Sequence, residues 1–136
     1  MTENRELTDD DYRALAAFRH AIRRFQSFSE EQAADAGLTP QQHQALLAIR
    51  AARPEQATVG HVAERLILKS HSATGLVDRL EALGLIVREA AANDRRRVLL
   101  RLTPKAHGVL ATLSAIHHDE VQLLRPELLK ILDQLA

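Results

Sequence analysis

The chain has 136 residues, 46% apolar, 26% charged and 3% aromatic with no Trp, which allows one aliphatic core and argues against wholesale disorder or an aromatic base-stacking platform. Having no cysteine, it excludes disulfides, thiolate metal ligands and an internal cysteine redox switch; its polar, acidic start (MTENRELTDDD) and lack of an 18-residue apolar run point away from secretion and membranes, towards the cytoplasm. The formal net charge is zero, yet residues 61–105 hold nine Lys/Arg against five Asp/Glu while both flanks are acidic, a pattern that suits a polyanion partner but is weak evidence alone, because a basic face is usually just solvated.

From Thr8 to about Ala36, the spacing of Tyr12, Leu15, Phe18, Ile22 and Phe25 predicts a long amphipathic helix. Thr8 can cap it, Asp9, Asp10 and Asp11 suit its positive end, and Gly37 stops it. So long an apolar stripe at the edge of a small chain favours a partner chain. Thr39-Pro40-Gln41-Gln42 predicts a second helix with a capping box and proline at its first position; Ala45, Leu46, Leu47 and Ile49 form its inner set, and it ends before Pro54. His20 and His43, in these first two helices, read as solvated or hydrogen-bonded histidines.

Thr58 starts a third helix, with Val62, Ala63 and Leu66 inward, that ends near Leu68. Lys69-Ser70-His71-Ser72 reads as a polar break rich in capping hydroxyls, and a fourth helix is predicted from Ser72 to Leu83 with Leu76, Val77, Leu80 and Leu83 inward, closed by Gly84. Two compact helices joined by a short turn make a helix-turn-helix, whose second helix fits a major groove and presents its first turn to base edges. Strand-like runs follow at Leu85–Glu89 and Val98–Leu102, joined through AAANDRRR, where Asn93-Asp94 is turn chemistry. A hairpin there, tipped by three arginines, is a wing able to reach a minor groove, and Asp94 reads as a buttress. Asp78 and Arg79, later in the fourth helix, read as making ion pairs within the protein or touching the DNA backbone. Thr103-Pro104 repeats the cap-plus-proline start and predicts a helix to about Leu124, with a separate last helix after Pro126. The fold class is thus mainly α with a small β-hairpin.

The order of elements and the segments LTPQQHQAL, VGHVAERL, GLVDRLEALGLIVR and NDRRRVLLRLTPKA resemble the MarR family of winged helix-turn-helix transcriptional regulators, over nearly the whole chain from about Thr8. The resemblance implies a single domain, with a DNA-binding lobe over about 39–102 and dimerisation helices over about 8–36 and 103–136. It implies a homodimer on a double-stranded, pseudo-palindromic operator, with half-site centres roughly 10 base pairs apart. It further implies a repressor released by a small aromatic or phenolic molecule. By position, the DNA-facing set is Thr58, Lys69, Ser70, His71, Ser72, Thr74 and Gly75 with Asp94, Arg95, Arg96 and Arg97 of the wing, Asp94 orienting Arg96 for the minor groove. Gly75 stands where many relatives carry a larger polar or basic residue. Helix order gives Phe18, Ile22, His43, Leu47 and His107 as an effector pocket, although apolar residues at helical spacing are more often core.

Three other readings compete. No G-x-S-x-G, H-E-x-x-H or phosphate-cradling glycine loop is present, so no enzyme activity, cofactor or resident metal is expected. A metal-responsive regulator of the same fold would have to use His117-His118-Asp119-Glu120, where adjacent helical side chains diverge by about 100°, so that His117 with Glu120 is a partial site at best even with His43 or His107 added. A winged-helix module that binds protein is opposed by the wing arginines.

Overall fold

The computed structural model describes residues 5–136; residues 1–4, the head of the acidic start, lie outside the described residues. Five helices and one hairpin follow in order: α1 (Asp9–Asp35), α2 (Pro40–Ala51), a single 3-10 turn (Pro54–Gln56), α3 (Val59–Leu66), α4 (Ser70–Ala82), β1 (Ile86–Ala90), β2 (Val98–Leu102) and α5 (Pro104–Gln134). Local chemistry explains most boundaries. Thr8 caps α1 reciprocally with Asp11: the Asp11 N–H donates to Thr8 Oγ1 (3.2 Å) and the Thr8 N–H to the Asp11 carboxylate (2.8 Å). The backbone and hydroxyl bonds from Thr8, with Arg5 nearby, hold that carboxyl below the usual range. At α2 the Thr39/Gln42 capping box is complete, with Pro40 at the first helical position.

The chain divides into two compact units, residues 32–114 and residues 5–31 with 115–136, so α1 and α5 each contribute to both. The first unit is organised around Leu46, Val62, Val77, Leu80, Ile86 and Leu100, all fully buried. Each such side chain contributes about 1.5–3 kcal/mol of burial. The antiparallel hairpin pairs Ile86 with Leu102 and Ala90 with Val98, and the Leu100 N–H reaches outside it to the Ala57 carbonyl at 2.7 Å, fixing β2 against the connection between α2 and α3. Thr103 bonds the Gly84 carbonyl through its hydroxyl (2.7 Å) and the Leu85 carbonyl through its N–H (3.0 Å), seating the start of α5 on the end of α4. In the second unit, Arg24 pairs with Glu127 (3.2 Å), and His117 shares a 2.8 Å hydrogen bond with the Ser29 hydroxyl while lying edge-on to Phe25 and Phe28. Ala21, Ile22, Phe25, Val121, Leu124 and Leu128 line an apolar cleft of about 220 Å³ there.

Four sequence expectations are corrected. α4 starts at Ser70 and not at Ser72: α3 closes so tightly at Ile67 that the Lys69 carbonyl already accepts the Ala73 N–H (3.0 Å), and the serines lie inside the first turn and do not cap it. β1 is shifted by one residue. The two expected C-terminal helices are one, continuous through Pro126. Unlike Pro40 and Pro104, this proline follows an arginine and not a capping threonine, so nothing there can start a new helix. Finally, Leu47 and Leu83 are exposed, as are Tyr12, Leu15 and Ile22 of the α1 stripe, where the buried residues are Ala14, Ala21 and Ala33.

Candidate nucleic-acid interface

Thr58 accepts the His61 N–H at 3.1 Å, which caps α3. After the turn, Lys69 occupies the cap position of α4 without a side-chain hydrogen bond, leaving the first N–H groups of this helix with no side-chain cap. Ala73, Leu76, Val77 and Leu80 anchor α4 in the core, and that placement leaves Ser70, His71, Ser72 and Thr74 exposed on its first turns. Thr74 donates its hydroxyl back to the Ser70 carbonyl (3.0 Å), which leaves that hydroxyl's oxygen as an acceptor. A Cβ added at Gly75 would meet nothing within 4 Å, so internal packing does not require glycine at this position.

The wing loop is built by backbone bonds around Asp94. Ala91 donates to the Arg97 carbonyl (2.8 Å), Arg97 donates to the Asp94 carbonyl (3.0 Å), and the Asp94 carboxylate accepts the Arg96 N–H (3.0 Å). Arg95 and Arg96 therefore occupy the two corners of a tight turn opened by an aspartate that bonds two residues ahead. Asp94 bonds the main chain of Arg96, as a turn residue does, and among the described residues no ion pair joins it to an arginine side chain. Arg95, Arg96 and Arg97 are all exposed.

Three of the nine basic residues counted in this district are engaged elsewhere. Arg88 on β1 lies between two carboxylates of α4, with Nη2 to Asp78 at 2.6 Å and Nη1 to Glu81 at 2.7 Å; Asp78 foremost, they raise the guanidinium pKa further. Arg101 donates to the Pro54 carbonyl (2.7 Å) and lies 3.5 Å from Glu89, and Lys105 donates to the Leu83 carbonyl (3.1 Å). Asp78 thus makes the internal ion pair expected of it, whereas Arg79 makes none among the described residues. Sequence reasoning missed Arg53, His61 and Arg65, which rim a groove of about 670 Å³ over Leu47, Ala51 and Leu66. His61 and Arg65 lie one turn apart on α3, but Arg53 precedes that helix and joins them only once α2 and α3 pack.

Of the expected effector residues, His43, Leu47 and His107 belong to the unit of residues 32–114 and Phe18 and Ile22 to the other unit. His43 is buried, Leu47 lines the groove just described, His107 is exposed, Phe18 is half-buried, and Ile22 lines the apolar cleft. His117, weighed as half of a metal site with Glu120, is held by Ser29 and two aromatic edges. Among the described residues no group of three or more His, Asp or Glu is arranged to hold a metal ion, and no helix is long and apolar enough to cross a membrane.

The MarR family profile matches residues 36–97, from the end of α1 to the wing. The chain is 32% identical over 108 residues to the uncharacterised HTH-type transcriptional regulator YkoM of Bacillus subtilis, an alignment covering 77% of this chain and 69% of YkoM. Its fold is similar to that of AbsC, a MarR family transcriptional regulator from Streptomyces coelicolor, with a TM-score of 0.75 at 23% identity over 96% of this chain and 92% of AbsC. It is similar also to a MepR variant of Staphylococcus aureus bound to an oligodeoxyribonucleotide, with a TM-score of 0.70 at 22% identity over 96% of this chain and 100% of that one. With its helix-turn-helix followed directly by an arginine-tipped hairpin, the chain belongs to the MarR family of winged helix-turn-helix transcriptional regulators.

Proposed function

We propose that this chain acts in the cytoplasm as a homodimeric, DNA-binding transcriptional repressor without enzymatic activity. In this reading the first turns of α4 (Lys69 to Gly75) enter successive major grooves of a pseudo-palindromic operator, Thr58 sits at the backbone, and Arg95 to Arg97 reach the adjacent minor groove. The observation that carries it is the wing turn: an aspartate fixes the main chain of Arg96, so exposed guanidinium groups project from an ordered apex. The oligonucleotide bound to the MepR variant supports the same use of the fold. A small, partly apolar effector, an aromatic acid or phenol, releases the DNA; a thermal-shift screen of such compounds identifies it by a rise in melting temperature.

The test uses a duplex enriched from random sequence by the wild-type protein. Arg96→Ala is expected to weaken binding to it about tenfold or more and to make the dependence on salt shallower by about one counterion, because a lost phosphate or minor-groove contact no longer releases its ion. Unchanged affinity and slope would remove the wing from the interface. Equal loss of sequence preference and of general affinity in an unfolded variant is excluded by circular dichroism on the same sample.

A further inference from the structure

Arg88 lies in the middle of β1, opposite Leu100 of β2, and its two Nη atoms are each bonded to a different carboxylate of α4. Asp78 and Glu81 are one helical turn apart on the same helix that carries Ser70 to Thr74 in its first turns. The Arg88 side chain is 27% exposed, against 60% for Asp78 and 44% for Glu81, so its charge is covered by the acids and turned from solvent. The opposite strand is held in a parallel manner: Arg101 binds the Pro54 carbonyl and lies beside Glu89. A two-stranded hairpin is marginal by itself; Ile86, Leu100 and the Leu100 N–H bond to the Ala57 carbonyl seat this one on the core, and the Arg88 fork ties its first strand to α4 by side-chain bonds.

We infer that Arg88 is a positioning residue: its planar fork fixes the wing strand to the recognition helix, so that Arg95 and Arg96 and the first turns of α4 read one half-site in a single register. The inference rests on the DNA-reading function proposed above. It assigns to a basic residue of the district a role in which its charge never meets phosphate. Two variants separate this from simple electrostatics. Arg88→Lys keeps the charge but cannot hold both carboxylates with one planar group. Asp78→Asn with Glu81→Gln removes two negative charges from the DNA-binding lobe, which by charge alone tightens binding to any DNA.

The experiment measures the affinity of the full chain for the duplex enriched by the wild-type protein and for a duplex of random sequence, across a salt series, at a temperature where circular dichroism shows each variant folded. The expected result is a fall of about tenfold or more in the preference for the enriched duplex in both variants, the size of one misread base pair. Random-duplex affinity is expected to be unchanged for Arg88→Lys and equal or tighter for the Asp78/Glu81 variant. Preference within about twofold of wild type in Arg88→Lys overturns the positioning role, as does a parallel tightening on both duplexes in the Asp78/Glu81 variant. If the wild-type chain enriches no duplex at all, the DNA-reading function itself fails and the positioning role falls with it.

Discussion

At Ile67 the backbone adopts the left-handed conformation (φ 55°, ψ 51°) while the side chain is 93% exposed. The same closing turn occurs three times. After α1, Leu38 donates to the Ala33 carbonyl around Gly37, and after α4, Leu85 donates to the Leu80 carbonyl around Gly84; after α3, Leu68 donates to the Ala63 carbonyl around Ile67. Glycine takes this conformation without a Cβ clash, whereas a β-branched side chain is strained there by roughly 1–2 kcal/mol. Asparagine tolerates it better and leaves the unfolded chain no more flexible than other residues do. We therefore expect Ile67→Asn to stabilise the protein by about 1 kcal/mol, roughly 3–5 °C in melting temperature for a chain of this length. Ile67→Gly should gain less, because glycine adds roughly 0.4–1 kcal/mol of unfolded-state entropy. A lower melting temperature for the asparagine variant would mean that a contact made outside this chain stabilises the isoleucine.

Among the elements, α5 carries the largest local conflict, a proline in its twenty-third position. Pro126 has no N–H for the carbonyl one turn back, and its ring crowds that carbonyl. Replacing it by alanine restores the bond, and the expected gain is about 1–3 kcal/mol, less than the full propensity difference because the helix has already adjusted around the ring. A denaturant titration reads it as a higher midpoint at unchanged slope; a lower midpoint would show that the pyrrolidine ring of Pro126 contributes packing that outweighs the lost hydrogen bond. Legibility divides along the same lines. Thr39-Pro40 and Thr103-Pro104 were readable because cap and proline act within one turn, and β2 was readable from its own β-branched and leucine-rich run. Pro126 was misread because proline marks a start only beside a cap. The start of α4 was misread because the closing turn at Ile67 decides it, not the serines. In the site, the wing turn was local and visible, but the engagement of Arg88 was not: its partners lie seven and ten residues back and meet it only once the helix and strand pack.

For the whole molecule, the question is what covers the long helices. Their spacing was legible, but what covers them was not, since periodicity names a face and never its partner. Leu15, Ile22, Val121, Leu129 and Leu132 each expose between 38 and 50% of their surface, and Leu123 exposes 78%. So many large apolar groups exceed the scattered exposure normal for a soluble monomer and mark an interface. In the homodimer proposed above, a second copy of the chain supplies the matching surface by symmetry, because a two-fold interface brings the same patch from both sides. We expect the wild-type chain to sediment at twice its 15.1 kDa mass and Leu129→Glu with Leu132→Glu to sediment at 15.1 kDa, since four carboxylates would be buried at the two-fold interface without partners. Because the two lobes of a dimer bind one operator as linked sites, the monomeric variant should also lose about a hundredfold in affinity for a two-half-site duplex while binding a single half-site like wild type. A wild-type chain that sediments at 15.1 kDa, or a variant that separates into monomers yet keeps its two-site affinity, would overturn the dimeric reading.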